Sequence, residues 1–318
     1  MSALLELSGV DKTFRMRGGR RVRAVSDVSL SVPAGSTLGL VGESGCGKST
    51  LARCIVGLHA ADSGSIRFEG QELVGLGRRR LKSVRRDLVM VFQDPFASLN
   101  PRKRVEDIVA APLDIHDLCR GPERARRVAS MLERVGLSSA HARRYPHEFS
   151  GGQRQRIGLA RALITEPRMV ICDEPVSALD VSVQAQILNL LADLQEQLSL
   201  TLVFIAHDLG VVRHIAQEVA VMYLGRVVEQ CSADELFAGP LHPYSDGLLA
   251  SVPVPDPTAR IDDAAVLAGD VPSTTMALSG CAFHPRCRYA DARCRTEVPE
   301  LRTLAPGRLG ACHHPVSP

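Results

Sequence analysis

The segment Gly42-Glu43-Ser44-Gly45-Cys46-Gly47-Lys48-Ser49 reads G-x-x-x-x-G-K-[ST], and nothing else in the chain restricts its fold so sharply. Glycines let the backbone close into a concavity whose N–H groups, together with the first turn of a helix, hold an anionic phosphate. Such a loop has meaning only between a buried strand and a helix. Here the apolar run Leu38 to Val41 precedes it, and a helix is predicted from about Lys48. In that setting Lys48 brings a point charge to the β and γ phosphates of a nucleotide, and Ser49 offers its hydroxyl to magnesium. Thr50 belongs to the same nucleotide-binding set, and Cys46 is expected to serve through its backbone amide.

Two further apolar runs, Met169 to Cys172 and Leu202 to Ala206, read as buried parallel strands, with helices predicted from near Ser182 and near Leu209. Strand followed by helix, repeated, gives an α/β fold with its phosphate chemistry at the strand C-termini. Between the first two runs lies an insertion of about residues 95–160, with helical periodicity in Glu123 to Val135 and Gln153 to Ala162, which reads as a helical subdomain. Beyond about Leu236 the sequence becomes rich in proline and turns, as in Val252 to Pro257 and Gly269 to Ser273. A domain of residues 1–235 and an extension of residues 236–318 are therefore expected.

The 318 residues suffice for one large domain and an appendage. An apolar share of 45% and a charged share of 23% exclude a disordered or fibrous chain. No apolar stretch approaches the ~18 residues of a membrane span, and the N-terminus lacks a basic segment followed by a long apolar one. A cytosolic placement is expected, with any membrane role exerted through a partner. The net charge of +3, with interspersed signs, offers no basic stripe for nucleic acid. The run Arg78 to Arg86 reads as a solvated helix face, the alternative being contact with a partner or a lipid headgroup.

The run Met169-Val170-Ile171-Cys172-Asp173-Glu174 ends a buried strand with two acids. Phosphate-loop enzymes place one such carboxylate by magnesium and the other by the attacking water. Asp173 fits the metal, and Glu174 fits the general base that polarises water toward the γ phosphate.

Phe149-Ser150-Gly151-Gly152-Gln153-Arg154-Gln155-Arg156 is a second serine-glycine turn opening a predicted helix. It resembles the ABC signature, whose commonest form begins Leu-Ser-Gly-Gly-Gln, with Phe149 in place of the leucine. The resemblance implies a P-loop NTPase core with a mainly parallel sheet, an N-terminal antiparallel β subdomain, a helical subdomain and a loop-rich C-terminal extension. It further implies that Ser150, Gly151, Gly152 and Gln153 close over the nucleotide of an opposite subunit, so that ATP joins two domains and hydrolysis releases them. Gln93 resembles the Q-loop glutamine, which would join Ser49 and Asp173 around magnesium. Ser177-Ala178-Leu179-Asp180 resembles the D-loop, and His207 the switch histidine that contacts the γ phosphate. Phe14 stands where this family stacks an aromatic on adenine, with a core role as the alternative.

Segments outside these motifs are similar to the dipeptide and oligopeptide importer branch: Val91-Phe92-Gln93-Asp94-Pro95, Ser98-Leu99-Asn100-Pro101-Arg102, Pro175 to Val183, His242-Pro243-Tyr244, and Gly280-Cys281-Ala282-Phe283-His284-Pro285-Arg286-Cys287 with Cys294 and Cys312. That resemblance implies ATP-driven import of peptides, with nickel or another small solute as the alternative cargo. It implies two permease subunits, an extracytoplasmic binding protein and a second ABC ATPase, a heterodimer being expected over a homodimer, at the cytoplasmic face of the inner membrane. A soluble ABC ATPase acting on ribosomes or DNA would carry two ATPase halves or a long coiled-coil insertion. A regulatory module with a dead site would have lost Lys48, Glu174 or His207. Neither pattern is present.

Of nine cysteines, Cys281, Cys287, Cys294 and Cys312 lie in the extension, separated by five, six and seventeen residues. Thiolates in a loop-rich segment without an export signal suggest a metal rather than disulfides. The spacing is wider than in common zinc sites, and in the family that this chain resembles the motif is associated with a [4Fe–4S] cluster. A structural cluster is therefore expected. Zinc is the alternative, with His284, His313 or His314 as substitute ligands, and free thiols are the remaining reading.

Overall fold

The computed structural model describes residues 3–16, 18–93, 98–177, 179–251, 272 and 278–316. The chain divides into two compact units, Met1–Val74 with Ala206–Pro318, and Gly75–Ile205. In chain order, the first stretch carries β1 (Ala3–Arg15), β2 (Arg21–Pro33), β3 (Thr37–Val41), α1 (Lys48–Ile55), β4 (Ser63–Phe68) and β5 (Gln71–Glu72). The second unit carries α2 (Arg78–Asp87), β6 (Leu88–Val91), α3 (Val105–Ile115), α4 (Gly121–Arg134), α5 (Gly151–Leu163), β7 (Met169–Asp173), α6 (Val181–Leu198) and β8 (Thr201–Ala206), the last residue of which opens the next stretch. After it come α7 (Leu209–Ile215), β9 (Glu218–Tyr223), β10 (Arg226–Ser232), α8 (Ala233–Ala238), α9 (Pro243–Ala250), α10 (Ala292–Thr296), β11 (Arg302–Ala305) and β12 (Arg308–Gly310).

In the first unit, β2, β1, β4 and β5 form an antiparallel sheet in that order. Alternating burial along β1 and β2, with Leu5, Leu7, Val10, Val25, Val28, Leu30 and Val32 inside, is the period-2 pattern of a sheet with one face on the core. This is the antiparallel β subdomain that the resemblance implied. The same unit pairs β3 with β9 in parallel, Leu38 opposite Glu218 and Val41 opposite Val221. All five residues of β3 are buried, as expected of a strand covered on both faces. Gly39 allows α7 to pack closely, since a Cβ there would lie 2.3 Å from Cγ1 of Val212. Outward from β9 the order continues through β10, β12 and β11, all antiparallel, so the last part of the extension is woven into a sheet edge.

In the second unit β6, β7 and β8 are parallel, Asp173 standing opposite Ile205 at the end of β7. The helical insertion comprises α3, α4 and α5 together with two 3-10 turns, Ser139–Arg143 and Pro146–Glu148. Arg154 and Arg156 on α5 donate to the carbonyls of Pro146 at 2.7 Å and of Val135, the cap of α4, at 2.8 Å, tying the insertion's helices together. In α2 only Val84 is buried, so the arginine run is a solvated helix face, as expected. The proline-rich segments 252–257 and 269–271, the interval 94–97 and residue 178 lie outside the described residues.

Candidate functional site

The phosphate loop follows β3 and opens α1, where the motif requires it. Gly42 has φ 147°, and a Cβ there would sit 2.2 Å from the carbonyl of Met222; Gly47 has φ 110°, and its Cβ would sit 2.0 Å from the carbonyl of Ala24. Both positions exclude any side chain, which accounts for two of the motif's glycines without reference to a ligand. The N-terminus of α1 has no side-chain cap, and the first amides of a helix are donors suited to an anion. Lys48 is 4% exposed, and its Nζ donates to the carbonyls of Gly42 at 2.6 Å and Glu43 at 3.0 Å. The ammonium is thus held inside the concavity by the loop's own backbone.

Cys46 does more than the expected amide role. Its N–H donates to Glu43 O, its carbonyl accepts from Gly225 N at 2.7 Å, and its thiol is 2% exposed. Burial pushes that thiol up, against the opposing pull of Lys48. Phe14, on β1, is half-buried and meets His59 edge to face at 5.3 Å with Lys12 Nζ 5.4 Å from its centre, so it is not a core residue. His207 follows β8 and is exposed; the next residue, Asp208, caps α7 by accepting from Gly210 N at 2.7 Å.

In the second unit the structure brings Gln93 and Glu174 together: Gln93 Nε2 donates to Glu174 Oε2 at 2.8 Å. Asp173, at the end of β7, is 1% exposed. Glu174 has φ 47°, a left-handed conformation that costs a non-glycine residue about 1–3 kcal/mol and that clusters at functional positions. Its N–H donates to Ile205 O at 3.1 Å and its carbonyl accepts from Ser177 Oγ at 3.1 Å, so the strained backbone is fixed on both sides.

Ser150 caps α5 and forms a capping box with Gln153, each side chain bonding the other's backbone amide. Gly151 and Gly152 face the D-loop and α6: a Cβ at Gly151 would lie 3.4 Å from Leu179 Cδ2, and one at Gly152 would lie 2.4 Å from Val183 Cγ1. The structure therefore joins the signature turn to the segment that follows β7. Ser150 is exposed, and Val181 at the start of α6 is 83% exposed. The expected D-loop residue Ala178 lies outside the described residues.

In the extension the Cys281 amide donates to the Cys294 carbonyl at 2.8 Å. Burial pushes all four thiols up, Cys312 to about 12, with Cys281, Cys287 and Cys294 adding to the shift. Of the histidines considered as zinc ligands, His284 and His313 turn their rings to the carbonyls of Cys281 at 2.8 Å and Glu297 at 3.0 Å. His314 instead groups with Asp291 and Cys294, whose ligand atoms all lie within 4.8 Å of one another.

Sequence reasoning gave no role to two residues at the phosphate loop. Tyr244 Oη accepts from Glu43 N at 2.9 Å, and Arg286 binds the Glu43 carboxylate through both terminal nitrogens, at 2.7 and 3.0 Å. His242-Pro243-Tyr244 and the run Gly280 to Cys287, which holds Arg286, had stood out in the sequence as markers of similarity, with no function given to Tyr244 or Arg286.

The glycine-lined loop, its buried lysine and the strand–loop–helix setting define the class: a P-loop nucleotide-binding protein. Solved structures agree. A dimeric ATP-binding cassette in a post-hydrolysis state bound to ADP and phosphate matches with TM-score 0.66 and 30% identity, covering 72% of this chain and 98% of that one. cbiO1 from Clostridium perfringens, part of an ABC transporter complex, matches with TM-score 0.66 and 28% identity, covering 75% and 92%. Residues 25–177 match the ABC transporter family model, and residues 228–294 match the oligopeptide/dipeptide transporter C-terminal region. The chain is 50% identical to the oligopeptide transport ATP-binding protein AppF of Bacillus subtilis (98% of this chain, 97% of that one). It is 51% identical to the di/tripeptide transport ATP-binding protein DppF of Pseudomonas aeruginosa (94% and 92%) and 47% identical to the oligopeptide transport ATP-binding protein OppF of Escherichia coli (99% and 95%). The chain belongs to the ABC transporter family, in its oligopeptide/dipeptide ATP-binding branch.

Proposed function

We propose that this chain is the ATP-hydrolysing subunit of a bacterial importer of dipeptides or oligopeptides. The observation that carries the reading is the match at about half identity along nearly the whole chain, extension included, to proteins named for peptide transport. That naming favours peptides over nickel as cargo. The division into an ATPase domain of residues 1–235 and an extension of residues 236–318 draws support from the two separate family matches.

Within the cycle, the loop Gly42–Thr50 binds the phosphates of ATP, with Lys48 beside the terminal ones. Ser49, Asp173 and Gln93 supply oxygens suited to magnesium, a hard cation that favours such ligands. When bound, the metal neutralises charge on the phosphates. Glu174 accepts the proton of the attacking water, and Gln93, bonded to it at 2.8 Å, orients it. His207 contacts the γ phosphate, and Phe14 faces adenine. The exposed Ser150 with Gly151, Gly152 and Gln153, and the D-loop residues Ser177 to Asp180, meet a second ATPase. Among the described residues no helix is long and apolar enough to cross a membrane. We therefore infer that two permease subunits, fed by an extracytoplasmic binding protein, hold this chain at the cytoplasmic face.

The decisive measurement is ATP turnover by Glu174→Gln in the assembled transporter: a fall of about 10²-fold or more, with ATP binding retained, is expected, and undiminished turnover refutes the assignment. Mixing Lys48→Ala with Ser150→Arg chains separates the two modes of assembly. In a homodimer one composite site gathers both lesions and the other escapes; a heterodimer with a different ATPase, which we favour, leaves no such rescue.

For the four cysteines we infer a structural [4Fe–4S] cluster. That reading rests on the four-cysteine spacing and the family resemblance; among the described residues the four thiols are not found as one ligand group, and the cluster would need Cys281, Cys287, Cys294 and Cys312 as its thiolate donors. The tighter Asp291, Cys294 and His314 group favours a single ion such as zinc as the second reading. Assays of iron, zinc and acid-labile sulfide on purified protein decide between them.

A further inference from the structure

Among the described residues, the C-terminal extension bonds the phosphate loop at Glu43. Its carbonyl is 3.0 Å from Lys48 Nζ, its amide donates to Tyr244 Oη at 2.9 Å, and its carboxylate is gripped by Arg286 at 2.7 and 3.0 Å. Arg286 closes a 3-10 turn, His284–Arg286, and its side chain is only 5% exposed while that of Glu43 is 23% exposed. Beneath the pair lies an aromatic cluster: Tyr223 meets Tyr244 at 4.6 Å and Phe283 at 5.2 Å, and Tyr244 meets Phe283 at 5.5 Å. Tyr223, Tyr244 and Phe283 are each at most 2% exposed, so the platform that carries Arg286 is rigid.

A carboxylate in a loop built to hold a polyanion is an electrostatic contradiction. Unpaired, the charge of Glu43 would oppose the phosphates that Lys48 and the loop amides attract, and at a partly buried position water screens it poorly. A guanidinium fork satisfies both carboxylate oxygens, cancels the charge and fixes the backbone that Lys48 also uses. We propose that Arg286 is a positioning residue for the nucleotide site: a cation lent by the C-terminal extension that neutralises Glu43 and sets the phosphate loop, together with Tyr244 at the Glu43 amide. The extension thereby acts on ATP affinity from a distance of more than 200 residues in sequence. This rests on the reading of Gly42–Thr50 as the ATP site.

The test uses the purified full-length chain and fluorescent ATP with magnesium, read as Kd, with thermal unfolding in parallel. Arg286→Ala weakens binding by roughly tenfold, the scale of leaving one charge of a desolvated pair unmatched. Adding Glu43→Gln to that variant brings Kd back to within about threefold of the parent, because the offending charge is gone. Arg286→Lys, which keeps the charge but not the fork, falls between them. A role limited to holding the extension together predicts no such rescue. If Arg286→Ala folds poorly, the ordering of Arg286→Lys and the double variant carries the same comparison. Binding unchanged within twofold in Arg286→Ala, or a double variant as weak as the single one, overturns the proposal. Undiminished ATP binding by Lys48→Ala would instead sink the underlying assignment of the ATP site.

Discussion

The phosphate loop and the signature turn are both short glycine-rich segments that open a helix, yet they are held in opposite ways. The signature turn is capped by its own residues and packs on the segment that follows β7. Ser150 and Gln153 cap one another, and Ser150 stays exposed. The phosphate loop is fixed by distant chain: Ala24 and Met222 crowd its glycines, Gly225 holds Cys46, and Tyr244 and Arg286 hold Glu43. The contrast teaches that a site meant to grip its ligand unaided is braced from several directions. The signature turn, capped within itself and backed by Leu179 and Val183, keeps its serine exposed, so that it can be presented to another molecule.

The largest expected effect attacks the bracing. Glu229, on β10, is fully buried and accepts from Leu241 N at 2.7 Å, His242 N at 2.9 Å and Arg308 Nη2 at 3.3 Å. It thus ties the start of the extension, just before Tyr244, to β10 and β12. Glu229→Ala leaves the Arg308 charge, 8% exposed, without its carboxylate, and removing one partner of such a pair costs about 3–5 kcal/mol. Denaturant unfolding is expected to show that loss, with ATP affinity falling at temperatures where the variant is still folded. A loss under 1 kcal/mol, or full ATP affinity in a strongly destabilised variant, would break the link between bracing and phosphate loop.

The next effect attacks the signature turn. Ser150→Arg removes the cap and puts a long cation at an exposed position, so assembled ATPase activity is expected to drop about 100-fold, as when a group that serves the transition state is removed. ATP binding by the isolated chain is expected to stay within about twofold, because nothing in the phosphate loop depends on it. Equal damage to both measurements would show that the turn is not a presented surface but part of the chain's own site.

How much of this was legible in the sequence follows the same contrast. Motifs whose meaning lies within a few residues, Gly42 to Ser49, Asp173-Glu174 and Ser150 to Gln153, could be placed on a strand end or a helix start, and the structure has them there. The strands β3, β7 and β8 announced themselves as short apolar runs because they are buried on both faces. The roles of Arg286 and Glu229 could not be read: Arg286 stood within a run similar to the importer extension, but its partner Glu43 lies far away in sequence, and a glutamate in a strand looks like an ordinary surface residue until tertiary structure buries it. The weaving of β12 onto β10 was hidden for the same reason: three residues of strand among prolines and turns carry no period of their own. The strain at Glu174 was also invisible, because the left-handed turn is imposed by Ile205 and Ser177 rather than by a glycine.

The smallest effect is a pH dependence, and it tests the bracing from another side. His242 is 1% exposed, and its Nδ1 accepts from Tyr244 N at 3.0 Å, which orients the start of α9 and hence the tyrosine under the phosphate loop. Burial pulls its pKa down to about 3. The unfolded chain takes up a proton at about pH 6.5, where the folded chain does not. Stability is therefore fully present above about pH 6.5 and is lost as pH falls from there toward 3, at up to about 1.4 kcal/mol per pH unit. His59 and His116 are also held below their ordinary values by partial burial and by neighbouring cations, so the parent's slope is a sum. The informative quantity is the difference from His242→Asn, whose side-chain oxygen can still accept from Tyr244 N but which does not titrate. Unfolding free energies at pH 7.5, 6.5 and 5.5 are expected to converge between parent and variant as the pH drops, because the parent alone carries the His242 penalty. Parallel lines would mean that His242 is protonated within the fold, and that this part of the brace is looser than its burial indicates.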